Sequence, residues 1–151
     1  MSVEISEVGI AHTDVISVLH GACLETAWNK QAVAEILVMP GTFALISASA
    51  EQPQGFALVR LAVDEAEIIS IGVIPAARRS GHAEGLLRSA ISSLTRRGAA
   101  KVFLEVAEDN AAACTLYEKC GFSLCGRRKD YYDHKGAKTD ALIYALEIIV
   151  K

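Results

Sequence analysis

The stretch "VIPAARRSGHAEGLL", residues 73–87, combines residue types that can bind an anion. A helix that begins at about Gly81 leaves its first four backbone N–H groups without internal partners, and its dipole favours a negative charge there. Arg78 and Arg79 add guanidinium groups whose fork geometry suits phosphate oxygens. The stretch therefore indicates a phosphate site, although an ordinary surface turn has the same composition.

Glu105 is a carboxylate inside an apolar strand pattern. In "KVFLEVA", residues 101–107, strand alternation places Glu105 on the face opposite to Val102 and Leu104. Partial burial would raise the pKa of such a carboxylic acid toward the working range of a general base. A solvated strand face explains the same residue without catalysis, so the pattern leaves two interpretations open.

Asn110 and Tyr117 lie seven residues apart in "NAAACTLYEKCG", a pattern typical of a helix opened by Asn and closed by Gly. Seven residues make two helical turns, so we expect both side chains on one face, where they can meet one ligand. Asn110 can also be an N-cap, which is compatible with a ligand contact, and the alternative for Tyr117 is a core aromatic. Further along, Tyr131 and Tyr132 precede a polar loop, which indicates a binding surface rather than an alternating core pattern.

Hydrophobic periodicity predicts the elements that must position these residues. Strands are predicted over residues 4–9, 42–48, 55–63, 66–74, 101–107, 122–132 and 140–150. Helices are predicted from about residue 13, over about 30–38, from 81 to 97 and over 110–121, and residues 47–55 and 133–138 are predicted loops. The order is β α α β β β α β α β β. The strand–helix–strand unit over 66–106 requires a right-handed crossover and a parallel pair among hairpins, so the sequence predicts an α+β fold with a mixed sheet.

Composition limits the class of protein. The chain has 151 residues, 52% hydrophobic and 22% charged, which favours one folded domain over residues 1–151 and excludes a disordered chain. A net charge of −3 argues against nucleic-acid binding as the main function. No window of ~18 apolar residues is present, and the four cysteines match no metal-binding spacing. We therefore expect a cytoplasmic protein with no metal and no membrane partner; the oligomeric state is left open.

The run Arg78-Arg79-Ser80-Gly81-His82-Ala83 resembles the [RQ]-x-x-G-x-[GA] pyrophosphate loop of the GCN5-related N-acetyltransferases (GNAT). It follows the fourth predicted strand and precedes the third predicted helix, as that fold requires. Nearly the whole chain is similar to the RimI type, the ribosomal-protein-alanine N-acetyltransferases. The similar segments are "ACLETAWNKQ", "IISIGVIPAARRSGHAEGLL", "FLEVAEDNAAACTLYEKCGF" and "RRKDYYDHKGAKTDALIYAL". This resemblance implies the GNAT acyl-CoA N-acyltransferase fold.

The resemblance also implies acetyl-CoA as the donor. It implies that backbone groups hold the pantetheine and the acetyl carbonyl at Ile71, Gly72 and Val73. The pyrophosphate is implied to lie against Arg78, Arg79, Ser80, Gly81, His82, Ala83 and Glu84. Ala83 stands where many members have Gly, and His82, at a position usually apolar or small, is expected to be solvated or at the phosphate edge.

The catalytic and acceptor residues follow from the same resemblance. Glu105 becomes the general base, Tyr117 the general acid for the departing thiolate, and Asn110 a cofactor ligand. Tyr131 and Tyr132 are implied to bind the first residues of a peptide substrate. Trp28, with Glu25 and Asn29, is implied to form the opposite wall, with a packed aromatic as the alternative for Trp28.

The implied acceptor is the α-amine of an N-terminal alanine, on a small-subunit ribosomal protein. An α-amine has an ordinary pKa of ~8 and a lysine side chain one of ~10.4, so a weaker base can deprotonate the α-amine. Two alternatives stay open: a family member that acts on a lysine side chain or a small-molecule amine, and a non-catalytic acyl-CoA-binding module. Retention of both Glu105 and Tyr117 argues against the second.

Overall fold

The computed structural model describes residues 2–23, 28–134 and 136–148. These residues form four α-helices, α1 (Thr13–Cys23), α2 (Lys30–Leu37), α3 (His82–Arg96) and α4 (Ala111–Lys119). They form seven strands, β1 (Glu4–Val8), β2 (Thr42–Ser49), β3 (Gln52–Ala62), β4 (Glu65–Val73), β5 (Lys101–Ala107), β6 (Ser123–His134) and β7 (Ala137–Glu147). Short 3-10 turns cover Ile10–His12 and Pro75–Ala77. The predicted element order is confirmed.

All seven strands lie in one sheet, in the order β1-β2-β3-β4-β5-β7-β6. Every neighbouring pair is antiparallel except β4 and β5, which are parallel and are connected through α3. A parallel pair needs such a crossover, whereas the hairpins need only short turns. The mixed α+β sheet expected from the sequence is therefore confirmed.

The parallel pair is short, and this opens the sheet. β4 and β5 pair only where Glu65–Glu67 meet Lys101–Phe103. Beyond that point β4 stays paired with β3 as far as Val73, and β5 stays paired with β7 as far as Ala107. Within the described ranges no ladder joins residues 68–73 to residues 104–107. We call the space between these two segments the gap.

The helices cover the two faces of the sheet unequally. On one face α3 and α4 contribute to the larger core, and the apolar stripe of α3 is fully buried: Leu86, Leu87, Ala90 and Leu94. On the other face α1 and α2 pack over β2, β3 and β4 through a second core that contains Ile16, Val33 and Phe56. On this second face Glu105 lies opposite Ile143, and both are only partly buried. Part of β5 and β7 is thus left accessible.

Two predicted loops are shorter than expected. The sequence predicts a loop over residues 47–55, but β2 and β3 continue to a two-residue turn at Ala50 and Glu51. Both turn residues have positive φ, 49° and 66°, the geometry that matches the twist of a hairpin. The two turn residues are not glycines, so the composition of this segment does not show where the chain turns. The predicted loop 133–138 is shortened in the same way by β6 and β7.

The elements on either side of the predicted anion site agree with the sequence. α3 begins after Gly81 and its C-terminal exit is Gly98, whose φ of +89° is the left-handed cap that the sequence predicts. In the described segments no helix has the length and apolar character needed to span a membrane.

Candidate active site

The N-terminus of α3 presents free backbone donors. Its first helical hydrogen bond joins the Gly85 N–H to the Gly81 carbonyl, at 3.0 Å. Within the part of the chain that the structure describes, the amides of residues 79–84 find no acceptor, and Gly81 offers no side-chain cap. Gly81 has φ +85°, and a Cβ there would meet no atom within 4 Å. These free donors and the helix dipole fit a pyrophosphate group.

Two charged residues of the predicted pyrophosphate segment, Arg78 and Glu84, already have partners within the protein. The Arg78 Nε donates to the Val73 carbonyl at 3.1 Å, which braces the turn between β4 and α3. Glu84 pairs with Lys119 at 2.7 Å and with Arg88 at 2.9 Å, and these hydrogen bonds lower the pKa of the Glu84 carboxyl. Its negative charge is thereby compensated beside an anion site. Arg79 is exposed and has a left-handed φ of +65°.

The expected position of the His82 side chain is wrong. His82 is 3% exposed, lies in the first turn of α3 and packs into the protein rather than facing solvent. Its Nε2 lies 3.2 Å from the Ser49 hydroxyl at the end of β2. His82 is the first residue of α3 rather than a loop residue, and its side chain lies against the end of β2. Only the backbone of His82 is left for an anion.

The edge of β4 that faces the gap leads directly to this anion site. Ile71, Gly72 and Val73 pair with β3 on one edge and have no ladder partner toward β5 among the described residues. Packing also explains why residue 72 is a glycine, because a Cβ there would come within 2.8 Å of the Cys23 Cβ. An extended ligand with an anionic end fits this edge.

Glu105 lies in a cleft of about 490 Å³ on the accessible part of the second face. The cleft is lined by Arg60, Ala62, Glu65, Ala66, Glu67, Phe103, Leu104, Glu105, Arg128 and Ile143. The Tyr132 hydroxyl donates to the Glu105 Oε1 at 2.9 Å, and Arg128 Nη1 lies 3.7 Å from Oε2. The predicted alternation on β5 is confirmed, since Val102, Leu104 and Val106 are buried on the other face.

Tyr117 lies in the core on the opposite face from Glu105. It is 6% exposed and packs against Phe122 and Tyr144, with ring centroids 6.1 and 6.2 Å away. Burial, and secondarily the Cys114 thiol, raise the pKa of Tyr117 to about 12. The phenol is therefore protonated at neutral pH and can act only as a proton donor there.

Asn110 is the N-cap of α4. Its side chain accepts from the Ala113 N–H at 3.2 Å. This is the other role that the sequence leaves open for Asn110, and it is compatible with a cofactor contact. Asn110 is exposed at the start of α4.

The residues expected on the acceptor side are only partly brought together. Tyr132 contacts Glu105, while Tyr131 is 52% exposed and meets Tyr132 edge-on at 5.1 Å. Trp28 stacks on His20 at 4.5 Å and, among the described residues, is not part of the cleft lining. Asn29 caps α2 by accepting from the Ala32 N–H. Glu25 lies outside the described residues.

The sequence did not indicate four other charged residues of the cleft, Arg60, Glu65, Glu67 and Arg128. Arg60 and Glu67 face each other across β3 and β4, and Glu67 neighbours Phe103 across the parallel pair. Arg128 reaches Glu105 from β6. Alternation on each strand could have placed Arg60 and Glu67 on one face, but only the strand order brings them to Glu105. Arg128 depends on a register shift that the sequence does not reveal.

Comparison with known proteins identifies the family. The model of the Acetyltransferase (GNAT) family matches residues 15–122, which include the gap, the α3 N-terminus, Glu105 and Tyr117. The chain belongs to the GNAT family. The family and the fold that the sequence resemblance implied are thus confirmed, and GNAT enzymes take their acetyl group from acetyl-CoA.

Three similar proteins show how far the match extends. A protein of Escherichia coli (strain K12) named [ribosomal protein bS18]-alanine N-acetyltransferase is 41% identical over 93 residues, 62% of this GNAT chain and 63% of its own length. The match thus spans less than two thirds of that relative. A Bacillus subtilis (strain 168) relative is 30% identical over 131 residues, 86% of this chain and 85% of its own. The crystal structure of the Escherichia coli ribosomal-protein-S18-alanine N-acetyltransferase superposes with a TM-score of 0.92 at 28% identity, covering 99% of this chain and 96% of that one.

Proposed function

We propose that this GNAT protein is an N-terminal protein acetyltransferase. It transfers an acetyl group from acetyl-CoA to the α-amine of an N-terminal alanine, on a small-subunit ribosomal protein. The observation that carries the proposal is the placement of Glu105 and Tyr117 on opposite faces of the sheet. Glu105 lies on β5, which borders the gap, and Tyr117 lies on α4, the helix that follows β5. A base on one face and an acid on the other match the two proton transfers that the reaction needs.

The donor side uses mainly backbone groups. Acetyl-CoA supplies the acetyl group as a thioester. The free amides of residues 79–84 bind its pyrophosphate, and Arg79 is the better side-chain ligand because Arg78 already donates to Val73. The edge of Ile71, Gly72 and Val73 that faces the gap binds the pantetheine arm and polarises the acetyl carbonyl. Asn110, exposed at the start of α4, hydrogen-bonds the cofactor.

Glu105 acts on the acceptor side. The α-amine enters the cleft that Glu105 lines and loses a proton to this carboxylate, directly or through a water molecule. Its nitrogen then forms the new bond to the acetyl carbon. An N-terminal amine, with an ordinary pKa near ~8, is deprotonated far more often at neutral pH than a lysine side chain.

Tyr117 completes the proton balance. The carbon–sulfur bond breaks as the amide forms, and the Tyr117 hydroxyl gives its proton to the departing thiolate. A pKa raised to about 12 by burial keeps Tyr117 protonated until that moment, at any physiological pH. The base and the acid are then restored by solvent.

The acceptor rests on the relatives and on the hairpin of β6 and β7. The Escherichia coli relative and the Escherichia coli crystal structure compared above both carry the name of a ribosomal protein S18-alanine N-acetyltransferase. Tyr131 is exposed beside the cleft residue Arg128, which supports a contact with the first residues of a peptide. Trp28, although stacked on His20, keeps the implied role of a groove wall. A ribosomal substrate implies a cytoplasmic location.

Substitution of the two catalytic residues tests this proposal. Glu105→Gln and Tyr117→Phe keep the side-chain shapes, so each should lower kcat by about 10²–10⁴-fold. Acetyl-CoA affinity, measured by calorimetry, should stay near the wild-type value because neither side chain belongs to the pyrophosphate site. Wild-type turnover in the double variant would overturn the proposed mechanism, and retained binding without turnover in the wild type would favour a non-catalytic acyl-CoA module.

A further inference from the structure

The hydroxyl of Tyr132 points at the proposed base rather than at open solvent. It donates to the Glu105 Oε1 at 2.9 Å, a normal length for a hydrogen bond to a carboxylate. The second oxygen, Oε2, lies 3.7 Å from Arg128 Nη1, which is beyond hydrogen-bond distance. Oε1 of Glu105 is thus held by a hydrogen bond, whereas Oε2 is attracted to the Arg128 guanidinium but is not hydrogen-bonded to it.

The position of Tyr132 is fixed by an irregular segment of β6. The pairing of β6 with β7 shifts between Arg128 and Tyr132, and Asp130 within this segment has φ +53°. Asp140 on β7 holds the segment from the other strand. Its Oδ1 accepts from the Asp130 N–H at 2.9 Å, and its Oδ2 accepts from Arg127 at 2.7 Å. A β-bulge of this kind redirects a side chain, and here the redirected residue is Tyr132.

We propose that Tyr132 is a positioning residue for the base Glu105, which differs from the peptide-binding role that the resemblance implied. This inference rests on the proposed function. The Tyr132 hydroxyl holds Oε1, so that Oε2 is the oxygen that takes the proton of the incoming amine.

Other charged residues also line the cleft around Glu105. Glu65 and Glu67 reach it from β4, Arg60 from β3 and Arg128 from β6. The facing residue on β7 is the apolar Ile143. Burial, and then the hydrogen bond to Glu105, raise the pKa of Tyr132, so its hydroxyl keeps its proton across the working range. Tyr132 is therefore a steady donor.

Tyr132→Phe removes this donor and keeps the aromatic ring. We expect kcat on a peptide with N-terminal alanine to fall about tenfold or more, with KM for the peptide changed less than about twofold. In carboxyl-carbon NMR of the protein alone, the Glu105 signal should move from its wild-type chemical shift, because Oε1 has lost its hydrogen-bond donor.

Tyr131→Phe is the matched control, since it removes a hydroxyl from the neighbouring residue, which does not contact Glu105. The Glu105 NMR signal should keep its wild-type chemical shift in this variant. A raised peptide KM in Tyr132→Phe, with unchanged kcat and an unchanged Glu105 signal, would overturn the inference in favour of peptide binding. The NMR measurement needs no acceptor, so it decides whether Tyr132 holds Glu105 even if Glu105→Gln disproves the proposed base.

Discussion

At the scale of single residues, His20 is a buried histidine that the proposed chemistry does not use. It is 1% exposed, stacks on Trp28 and accepts from the Trp28 backbone N–H at 3.1 Å. Its Nε2 is buried without a partner among the described residues. Burial lowers the pKa of His20 below its ordinary value of 6.5. The folded protein therefore resists a proton that the unfolded chain accepts.

This difference makes stability depend on pH. The contribution of neutral His20 is fully present above pH 6.5, the unfolded value, and is lost as the pH falls below it, at up to about 1.4 kcal/mol per pH unit. In urea unfolding at pH 7.5 and 5.5, His20→Gln should lose less stability between the two pH values than the wild type does. His12→Gln, which removes an exposed histidine, should keep the wild-type difference. An equal loss in all three proteins would contradict this account.

The placement of some side chains near the site followed from the sequence, and the placement of others did not, for physical reasons. Alternation on β5 located Glu105, because β5 pairs with β7 without a register shift and its side chains keep the period of two. The burial of His82 was not predicted, because the residue begins a helix and was taken as part of the loop. The Tyr132 contact could not be predicted, since it depends on the register shift in β6.

At the scale of elements, a glycine with positive φ lies at each end of α3. Gly81 has φ +85° and Gly98 has φ +89°, and a Cβ at either would meet no atom within 4 Å. Alanine at either position costs stability through backbone strain alone, about 1 kcal/mol. Only Gly81 adjoins the free amides of residues 79–84.

The pair Gly81→Ala and Gly98→Ala separates anion binding from stability. Both variants should lose a similar free energy of unfolding. Gly81→Ala alone should weaken acetyl-CoA binding, roughly tenfold, because relief of the strain moves the amides that face the pyrophosphate. Calorimetric titration with acetyl-CoA checks the difference. Equal affinities in the two variants would show that the α3 N-terminus is not the pyrophosphate site.

Element order was more predictable than element ends. Long periodic segments such as α3 are defined by many residues at once, so their type follows from the sequence. The turn at Ala50 and Glu51 is defined by two non-glycine residues with positive φ, which no composition rule indicates. The β2–β3 hairpin was therefore predicted with a loop that is too long.

At the scale of the whole molecule, the gap between β4 and β5 is the feature that joins the two halves of the site. It exists because a three-residue parallel pair is followed by strands that keep other partners, β3 for β4 and β7 for β5. Pairing of strands far apart in the sequence is not contained in local periodicity. The resemblance of the segments to one family supplied that information, and the strand order agrees with it.

The most direct test of the proposed function compares two acceptor peptides at pH 7.5, with acetyl-CoA and detection of the modified position by tandem mass spectrometry. One peptide has a free N-terminal alanine and no lysine, and the other has a blocked N-terminus and one lysine. Deprotonation alone favours the α-amine by roughly a hundredfold, and the predicted result is acetylation of the alanine peptide only. Acetylation of the lysine peptide, with none on the free α-amine, would contradict the account.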